Sequence, residues 1–390
     1  MSSSRFVQIH FLTSYPAALL NRDDVGFAKR IPFGGAIRTR ISSQCLKRHW
    51  RTFKGDHSLE SLEGTQMSIR SRKTFDKFVH QPLVDRGIDS KLAEQATAAV
   101  MSILLGESPK AKKEKSASND SVSLETGQVT ILGRPELDYI VEEIASICAA
   151  AENGNVSDAV KKRFTKENKE NFKALRHGAG LDAALFGRMV TSDILARCDA
   201  ALHVAHAFTV HSEAVESDYF SAVDDLLASG EDAELGSGHI GTTELTSGLF
   251  YGYLVIDVPL LVENLGGEAE LAGAIGERMV HLVATVSPGA KLGSTAPHAY
   301  ASAVLVEAGS AQPRTLANAF LNAVKERPDL LMNAINALST YVRDVDAMYG
   351  GVARRFAAVG QCAPMEAVAQ REQCLADLGK WTAAQMRGDV

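Results

Sequence analysis

Residues 21–51 read NRDDVGFAKRIPFGGAIRTRISSQCLKRHWR. Eight of them are basic (Arg22, Lys29, Arg30, Arg38, Arg40, Lys47, Arg48, Arg51) and two are acidic, Asp23 and Asp24. The stretch therefore carries +6 in a chain whose formal net charge is −6. Positive charge concentrated on an acidic background points to a specific anionic partner. The interleaved Phe33-Gly34-Gly35 and Ser42-Ser43-Gln44 bring backbone N–H groups and short polar side chains up to a phosphate chain. A phosphodiester ligand is the expectation. The stretch reads as a loop leading into a short helix from about Ser43, with Ser42 or Ser43 as its cap. On that helix Lys47 and Arg51 stand four apart and share a face, while Leu46 and Trp50, also four apart, carry the buried side.

Upstream, Arg5–Thr13 reads as a mostly buried strand ended by Ser14-Tyr15-Pro16. Downstream, helical periodicity dominates Lys91–Leu105 and Glu136–Glu152, with a low-complexity polar loop at Ser108–Asp120 between them. The next predicted helix, Ser157–Arg176, places Lys162, Lys166, Lys169, Lys173 and Arg176 at steps of four and three. That is one stripe: a solvated face paired locally with Glu167 and Glu170, or a second anion-contacting surface. Phe164, Phe172 and Leu175 supply its packing side. Strand patterns return at Ala201–His211, Leu249–Val258 and Ala299–Val306, with a polar, Gly-rich insertion at Glu213–Gly248 and an amphipathic helix at Glu268–Val286. Helices at Arg314–Arg327, Asp329–Met348 and, more weakly, Met365–Leu378 close the chain. Without the insertions the order is βαββαβ. The expected class is α+β, with the ferredoxin-like arrangement shared by RNA-recognition modules.

Composition excludes several classes. With 390 residues, 45% hydrophobic and 23% charged, the chain is an ordinary globular one of two or three subdomains. Five scattered cysteines without a C-x-x-C pair suit a reducing cytosol, and the N-terminus lacks a secretory pattern. The longest apolar run, Gly248 to Val262, is broken by Asp257 and Pro259 and is too short for a bilayer. The expectation is a cytoplasmic, non-membrane protein. Ser287-Pro288-Gly289-Ala290-Lys291 has a Gly and a Lys without P-loop spacing. His203, His206 and His211 gather no tetrahedral partner set, so no metal is expected, nor any cofactor. No G-x-S-x-G elbow is present, and no catalytic residue is assigned. Phe250, Tyr251 and Tyr253 are read as base-stacking aromatics or, for at least half of them, as core.

The ordered set of motifs carries a resemblance over nearly the whole chain. NRDD, FGG followed by R-x-RISSQ-x-LKR, Gly187-Arg188-Met189, AHA-x-T-x-H and D-Y-F-x-AVDDL resemble the backbone subunit of type I-E CRISPR Cascade, the Cas-seven family. GT-x-E-x-x-SG-x-FY from Gly241 to Tyr251, ENLGG from Glu263 to Gly267 and LANAF before Lys325 extend the likeness.

The resemblance implies a hand-shaped, non-enzymatic subunit: palm at 1–55, 186–211 and 249–390, helical fingers at 56–185 and thumb at 212–248. It implies that copies polymerise head to tail along CRISPR guide RNA in a helical filament. Arg22, Lys29, Arg40, Ser42, Gln44, Lys47, Arg48, Arg51 and Lys325 would hold the guide backbone. Met189 and Phe220 would pack where the thumb turns one base out at intervals, leaving the other bases to pair with target DNA in antiviral defence. Lys162, Lys166, Lys169 and Lys173 sit where relatives contact DNA. The implied partners also include the large, small, five-prime-handle-binding and repeat-processing endonuclease subunits of Cascade. The acidic Glu231–Leu235 segment departs from the family pattern in the thumb. Two competing readings remain. One is a metal-dependent RNA-cleaving backbone using Asp23 or Asp24, against which these aspartates would pair with Arg22 or backbone donors to shape the loop. The other is a stand-alone RNA-binding protein using Tyr251 and Tyr253.

Overall fold

Val7, Ile9 and Phe11 alternate with Gln8, His10 and Leu12 along the first strand, and both sets are buried. This strand, β1 (Phe6–Ala18), outruns its expected end at Thr13 because its neighbour continues to pair with it. A bulge between Tyr15 and Ala18 takes up Pro16, which has no N–H for the ladder, and the Ala17 N–H donates instead to Ser247 Oγ at 2.8 Å. The computed structural model describes residues 4–106, 123–150, 155–167, 178–188, 197–223 and 237–389. They form two units: Met1–Ser61, His203–Val258 and Ala269–Val390 make the first, Leu62–Leu202 and Pro259–Glu268 the second.

In chain order, β1 is followed by β2 (Arg30–Phe33), β3 (Ala36–Ile41) and helix α1 (Ser43–Thr52). Then come β4 (Ile69–Ser71), β5 (Thr130–Leu132), β6 (Leu202–Val204), β7 (Ala207–Thr209) and β8 (Val215–Val223). Last are β9 (Ser237–Asp257), β10 (Ala301–Gly309), β11 (Ala353–Ala358) and β12 (Gln370–Arg371). The main sheet runs β12-β11-β10-β1-β9-β7-β3-β2, and β6 and β8 also pair with β9. Its four central strands, β10-β1-β9-β7, are antiparallel throughout. One face is covered by helix Leu330–Tyr349, whose Ala334, Ile335, Leu338 and Val342 pack with Leu12, Tyr251, Leu305 and Phe356. Leu46 and Trp50 of α1 are buried as the spacing predicts, and Trp50 meets the Phe11 ring edge-on at 6.5 Å. Each such side chain contributes about 1.5–3 kcal/mol by leaving water.

Several expected elements differ. Ala201–His211 is two short strands, because the Ala205 N–H turns to the Tyr253 carbonyl between them. Leu249–Val258 is the second half of β9, which begins at Ser237 inside the polar insertion. Arg314–Arg327 is not a helix but an irregular segment with one tight turn at Ala317–Phe320. Its donors are taken by distant acceptors: the Arg314 N–H by Gln8 Oε1 at 2.8 Å, that of Leu316 by Tyr251 Oη at 3.1 Å, that of Val324 by the Val210 carbonyl at 2.9 Å. The weak helix at Met365–Leu378 resolves into a short turn at Ala363–Glu366, β12, and a helix at Leu375–Arg387. The strand β11 was not anticipated.

The second unit packs helices Ser90–Leu105, Arg134–Ala150 and Val156–Lys162 around Phe75, Val100, Leu104, Ile140 and Phe164. A buried ion pair joins Arg188 Nη1 to Glu136 at 2.6 Å. Among the described residues no helix is long and apolar enough to cross a membrane.

A buried polar network crosses the first unit's sheet. His10 Nδ1 lies 2.9 Å from Tyr251 Oη, and His10 Nε2 lies 3.2 Å from Glu307 Oε2. Glu307 also accepts from Arg354, whose Nη2 reaches Asp346 at 2.6 Å. Burial raises the Glu307 carboxyl, but the hydrogen bond and charge of His10 and the charge of Arg354 outweigh it and hold it at about 2. A folded value below the unfolded one gives stability that is present above the ordinary carboxylate range and lost as pH falls toward 2, up to about 3 kcal/mol. Thermal melts between pH 5 and 2 should show this loss, and Glu307→Gln should flatten it.

Candidate nucleic-acid interface

The early basic stretch is a folded hairpin, not the expected loop. Asp23 Oδ1 accepts the backbone N–H groups of Val25, Gly26 and Phe27 at 3.0, 2.8 and 2.9 Å. Burial raises its carboxyl, but these three bonds and the charge of Arg30 leave it below its ordinary value. The turn thus formed brings Arg22 into a bridge with Ala28. Asn21 Oδ1 accepts the Ser42 N–H at 2.9 Å and fastens the start of the loop to the start of α1. Between them β2 and β3 pair through Gly34 and Gly35, both with positive φ (61° and 77°), the two-residue turn that suits the twist of a hairpin. A Cβ on Gly34 would stand 1.4 Å from the Leu321 carbonyl oxygen, so the hairpin tip rests directly on that backbone. Around Gly35 nothing lies within 4 Å of such a Cβ.

The fold sorts the eight cations. Arg38 is fully buried: its Nη1 donates to the Thr209 carbonyl and its Nη2 to the Phe320 carbonyl, each at 3.0 Å. Burial lowers its pKa. Arg30 is paired with Glu213 and Glu244, and Glu244 Oε2 also accepts the Ala28 N–H at 2.6 Å. The other six, Arg22, Lys29, Arg40, Lys47, Arg48 and Arg51, lie at the surface, exposed or half-buried. Arg40 Nη1 lies 3.0 Å from His206 Nδ1, and its Nε donates to the Arg30 carbonyl. Desolvation, then the charges of Arg40 and Lys29, lower the His206 pKa. Burial pushes the Cys45 thiol up to about 11 against the pull of Lys29 and Arg48. Lys29 thus acts on both His206 and Cys45, and Arg48 on Cys45 in the first turn of α1.

The remaining predicted residues fall in different places. Ser42 is 7% exposed and its hydroxyl caps α1 through the Cys45 N–H, so the cap uses the group that was expected to meet a phosphate. Gln44 and Lys325 are exposed. Lys325 stands on the rim of a groove of about 800 Å³ with Asn318, Asn322, Arg327 and Asn336. Phe220 is 39% exposed on β8, opposite Gly241 of β9. Lys162 is exposed at the end of helix Val156–Lys162, and the backbone then widens into a π-turn over Arg163–Glu167 that holds Lys166. The regular three-and-four stepping does not continue through that turn. Lys169, Lys173, Met189, the Ser108–Asp120 loop and the acidic Glu231–Leu235 segment lie outside the described residues.

Phe250 and Tyr251 are buried and Tyr253 is half-buried, its hydroxyl donating to Gln8 Oε1 at 2.8 Å. These aromatics are core, not a stacking surface. Among the described residues no group of three or more His, Cys, Asp and Glu could hold a metal ion. Glu213 and Glu244, which fix Arg30, were missed by the sequence reading; the only signal was Glu244 within GT-x-E-x-x-SG.

A sequence profile of the CT1975-like protein family matches residues 7–381. A chain from a solved "CRISPR RNA-guided surveillance complex, pre-nicking" is 28% identical, with 98% of this chain and 100% of that chain covered and a TM-score of 0.79. A chain from a second "CRISPR RNA-guided surveillance complex" shares the fold at 24% identity, with 97% and 99% covered and a TM-score of 0.69. No curated protein matches this chain.

The hairpin tip yields a differential prediction. Gly35→Ala should cost about 1 kcal/mol from its positive φ alone, whereas Gly34→Ala should cost about 2–4 kcal/mol because its methyl group must displace the Leu321 backbone. Urea unfolding of the two variants measures the gap; equal losses would contradict the close approach.

Proposed function

Since the chain belongs to the CT1975-like family of Cas-seven-type backbone subunits, we propose that it is the guide-RNA-holding backbone subunit of a type I-E CRISPR surveillance complex. The observation that carries this reading is the sorting of the basic hairpin. Arg38 is buried and Arg30, though exposed, is paired with Glu213 and Glu244, and the other six are those that the family motif assigns to the guide.

The chemistry follows from that surface. Arg22, Lys29, Arg40, Lys47, Arg48 and Arg51, with Lys325, meet phosphate oxygens and give affinity with little preference for spacer sequence. Bases stay outward and pair with target DNA, so the protein holds shape while pairing reads sequence. The hairpin of β8 and β9 acts as the thumb, and Phe220 packs where it turns a base out. The second unit acts as the fingers, with Lys162, Lys166, Lys169 and Lys173 as its DNA contacts. We read the first unit's sheet as a ferredoxin-like palm. The spatial order β10-β1-β9-β7 supports this, because it places the fourth, first, third and second strands of βαββαβ side by side. Copies stack head to tail along the RNA, together with the other Cascade subunits. The role is non-enzymatic, and the three backbone bonds that hold Asp23 in its turn support a structural use of that carboxylate.

Filter binding at several salt concentrations tests the core of the proposal. Lys47→Ala with Arg51→Ala should weaken binding of unrelated guides alike and reduce the log–log salt slope by about 1.4, the share of two single-strand phosphate contacts. Unchanged affinity and slope would overturn it. Complementary RNA incubated with the assembled complex and Mg²⁺ should stay intact; regular cuts abolished by Asp24→Ala would overturn the non-enzymatic part.

A further inference from the structure

The segment Ser287-Pro288-Gly289-Ala290-Lys291 lacks phosphate-loop spacing, yet the fold braces it closely. Ser287 Oγ donates to the Ala299 carbonyl and accepts the Ala299 N–H, both at 3.0 Å. The Ala290 N–H donates to the Leu19 carbonyl at 2.9 Å. A Cβ at Gly289 would stand 2.5 Å from Leu292 Cδ2 and 2.9 Å from Pro297 Cγ, so Leu292 and Pro297 pack directly on the turn at this glycine. The braced turn delivers one side chain. Lys291 Nζ donates to Thr243 Oγ1 on β9 and sits over the Phe220 ring, 5.6 Å from its centroid.

The ring is constrained from a second direction. Phe220 pairs with Gly241 across the hairpin, and the ring's Cζ, Cε1 and Cε2 lie 2.5, 2.9 and 3.1 Å from where a Cβ at 241 would be. The far edge of the ring therefore fills the space that any side chain at 241 would occupy. Thr243, two residues from Gly241, lies on the same face of β9, which is why one lysine can reach both the hydroxyl and the ring.

We propose that Lys291 is a positioning residue for Phe220, clamping its ring over Gly241 so that a fixed aromatic surface meets the guide RNA where a base is turned out. This rests on the guide-holding reading above. An exposed phenylalanine on a two-stranded hairpin ordinarily exchanges rotamers, and that freedom is lost when it wedges against a base. A cation over the ring and a glycine beneath its edge remove the freedom before RNA arrives, so less ordering is left for the binding step.

The test uses the full chain assembled on guide RNAs carrying 2-aminopurine at successive positions, read at saturating protein so that affinity does not enter. Wild type should show bright, unstacked positions at regular intervals. Lys291→Met should lower the ratio of unstacked to stacked signal at those positions about twofold to fivefold, the scale of an exposed cation–π contact. Lys291→Arg should restore it, and Gly241→Ala should reduce it at least as much as Lys291→Met. Wild-type signal in both Lys291→Met and Gly241→Ala would overturn this inference alone. Absence of any bright position in wild type would overturn the base-turning reading and this inference with it.

Discussion

One buried guanidinium fixes the geometry of the candidate interface. Arg38 sits on β3 with no solvent contact and donates to two carbonyls, Thr209 at the end of β7 and Phe320 in the turn below the hairpin tip. A buried charge without acceptors is strongly unfavourable, so these three segments are bound to one arrangement. The Phe33 ring lies 6.0 Å from the same guanidinium and meets the Phe208 ring at 5.1 Å. The β2–β3 hairpin is thereby held as an added edge of the sheet. Arg40 takes its position from that edge, and Lys47, Arg48 and Arg51 from α1, which follows it in the chain.

The second constraint is local neutralisation. Glu213 and Glu244 flank the point where β8 and β9 leave the sheet, and both close on Arg30. Glu244 also takes the Ala28 N–H, so a single carboxylate ties the basic loop to the long strand. Arg38 is thus buried and Arg30 compensated by two carboxylates, and the other six cations are spaced along one loop, one strand and one helix. Asp23 belongs to the same logic, since its carboxylate organises donors that would otherwise point into water.

What the sequence made legible follows from what each residue type can report. Leu46 and Trp50 were placed correctly because helical spacing and apolarity leave little choice. The two long helices of the second unit and helix Leu330–Tyr349 were legible for the same reason. R-x-R was ambiguous: Arg38 and Arg40 share charge and β-spacing of two, yet one is buried and the other meets His206, and only the sheet's neighbours decide this. The hairpin was missed because Pro32 and the Gly34-Gly35 pair resemble loop punctuation, although two glycines between short alternating runs are also a turn signal. Arg314–Arg327 has helical composition, but its backbone donors are claimed by Gln8, Tyr251 and Val210, partners 65 residues or more distant in sequence. No local pattern carries that information.

Strand β9 passes unbroken from the hairpin with β8 into the centre of the sheet. Along it Gly241 lies beneath the Phe220 ring and Gly252 beneath the ring of Phe11, whose Cζ would be 2.0 Å from a Cβ there. The two glycines differ by an odd number of residues, so they open onto opposite faces of one ribbon. Their relation is one of parity. A single residue gained or lost between them would bring both hollows to the same face and leave one phenylalanine without its seat. Changes by pairs would preserve the arrangement. Length drift in relatives of this chain is therefore expected in the connection joining β8 to β9, while the strand between the two glycines keeps its count.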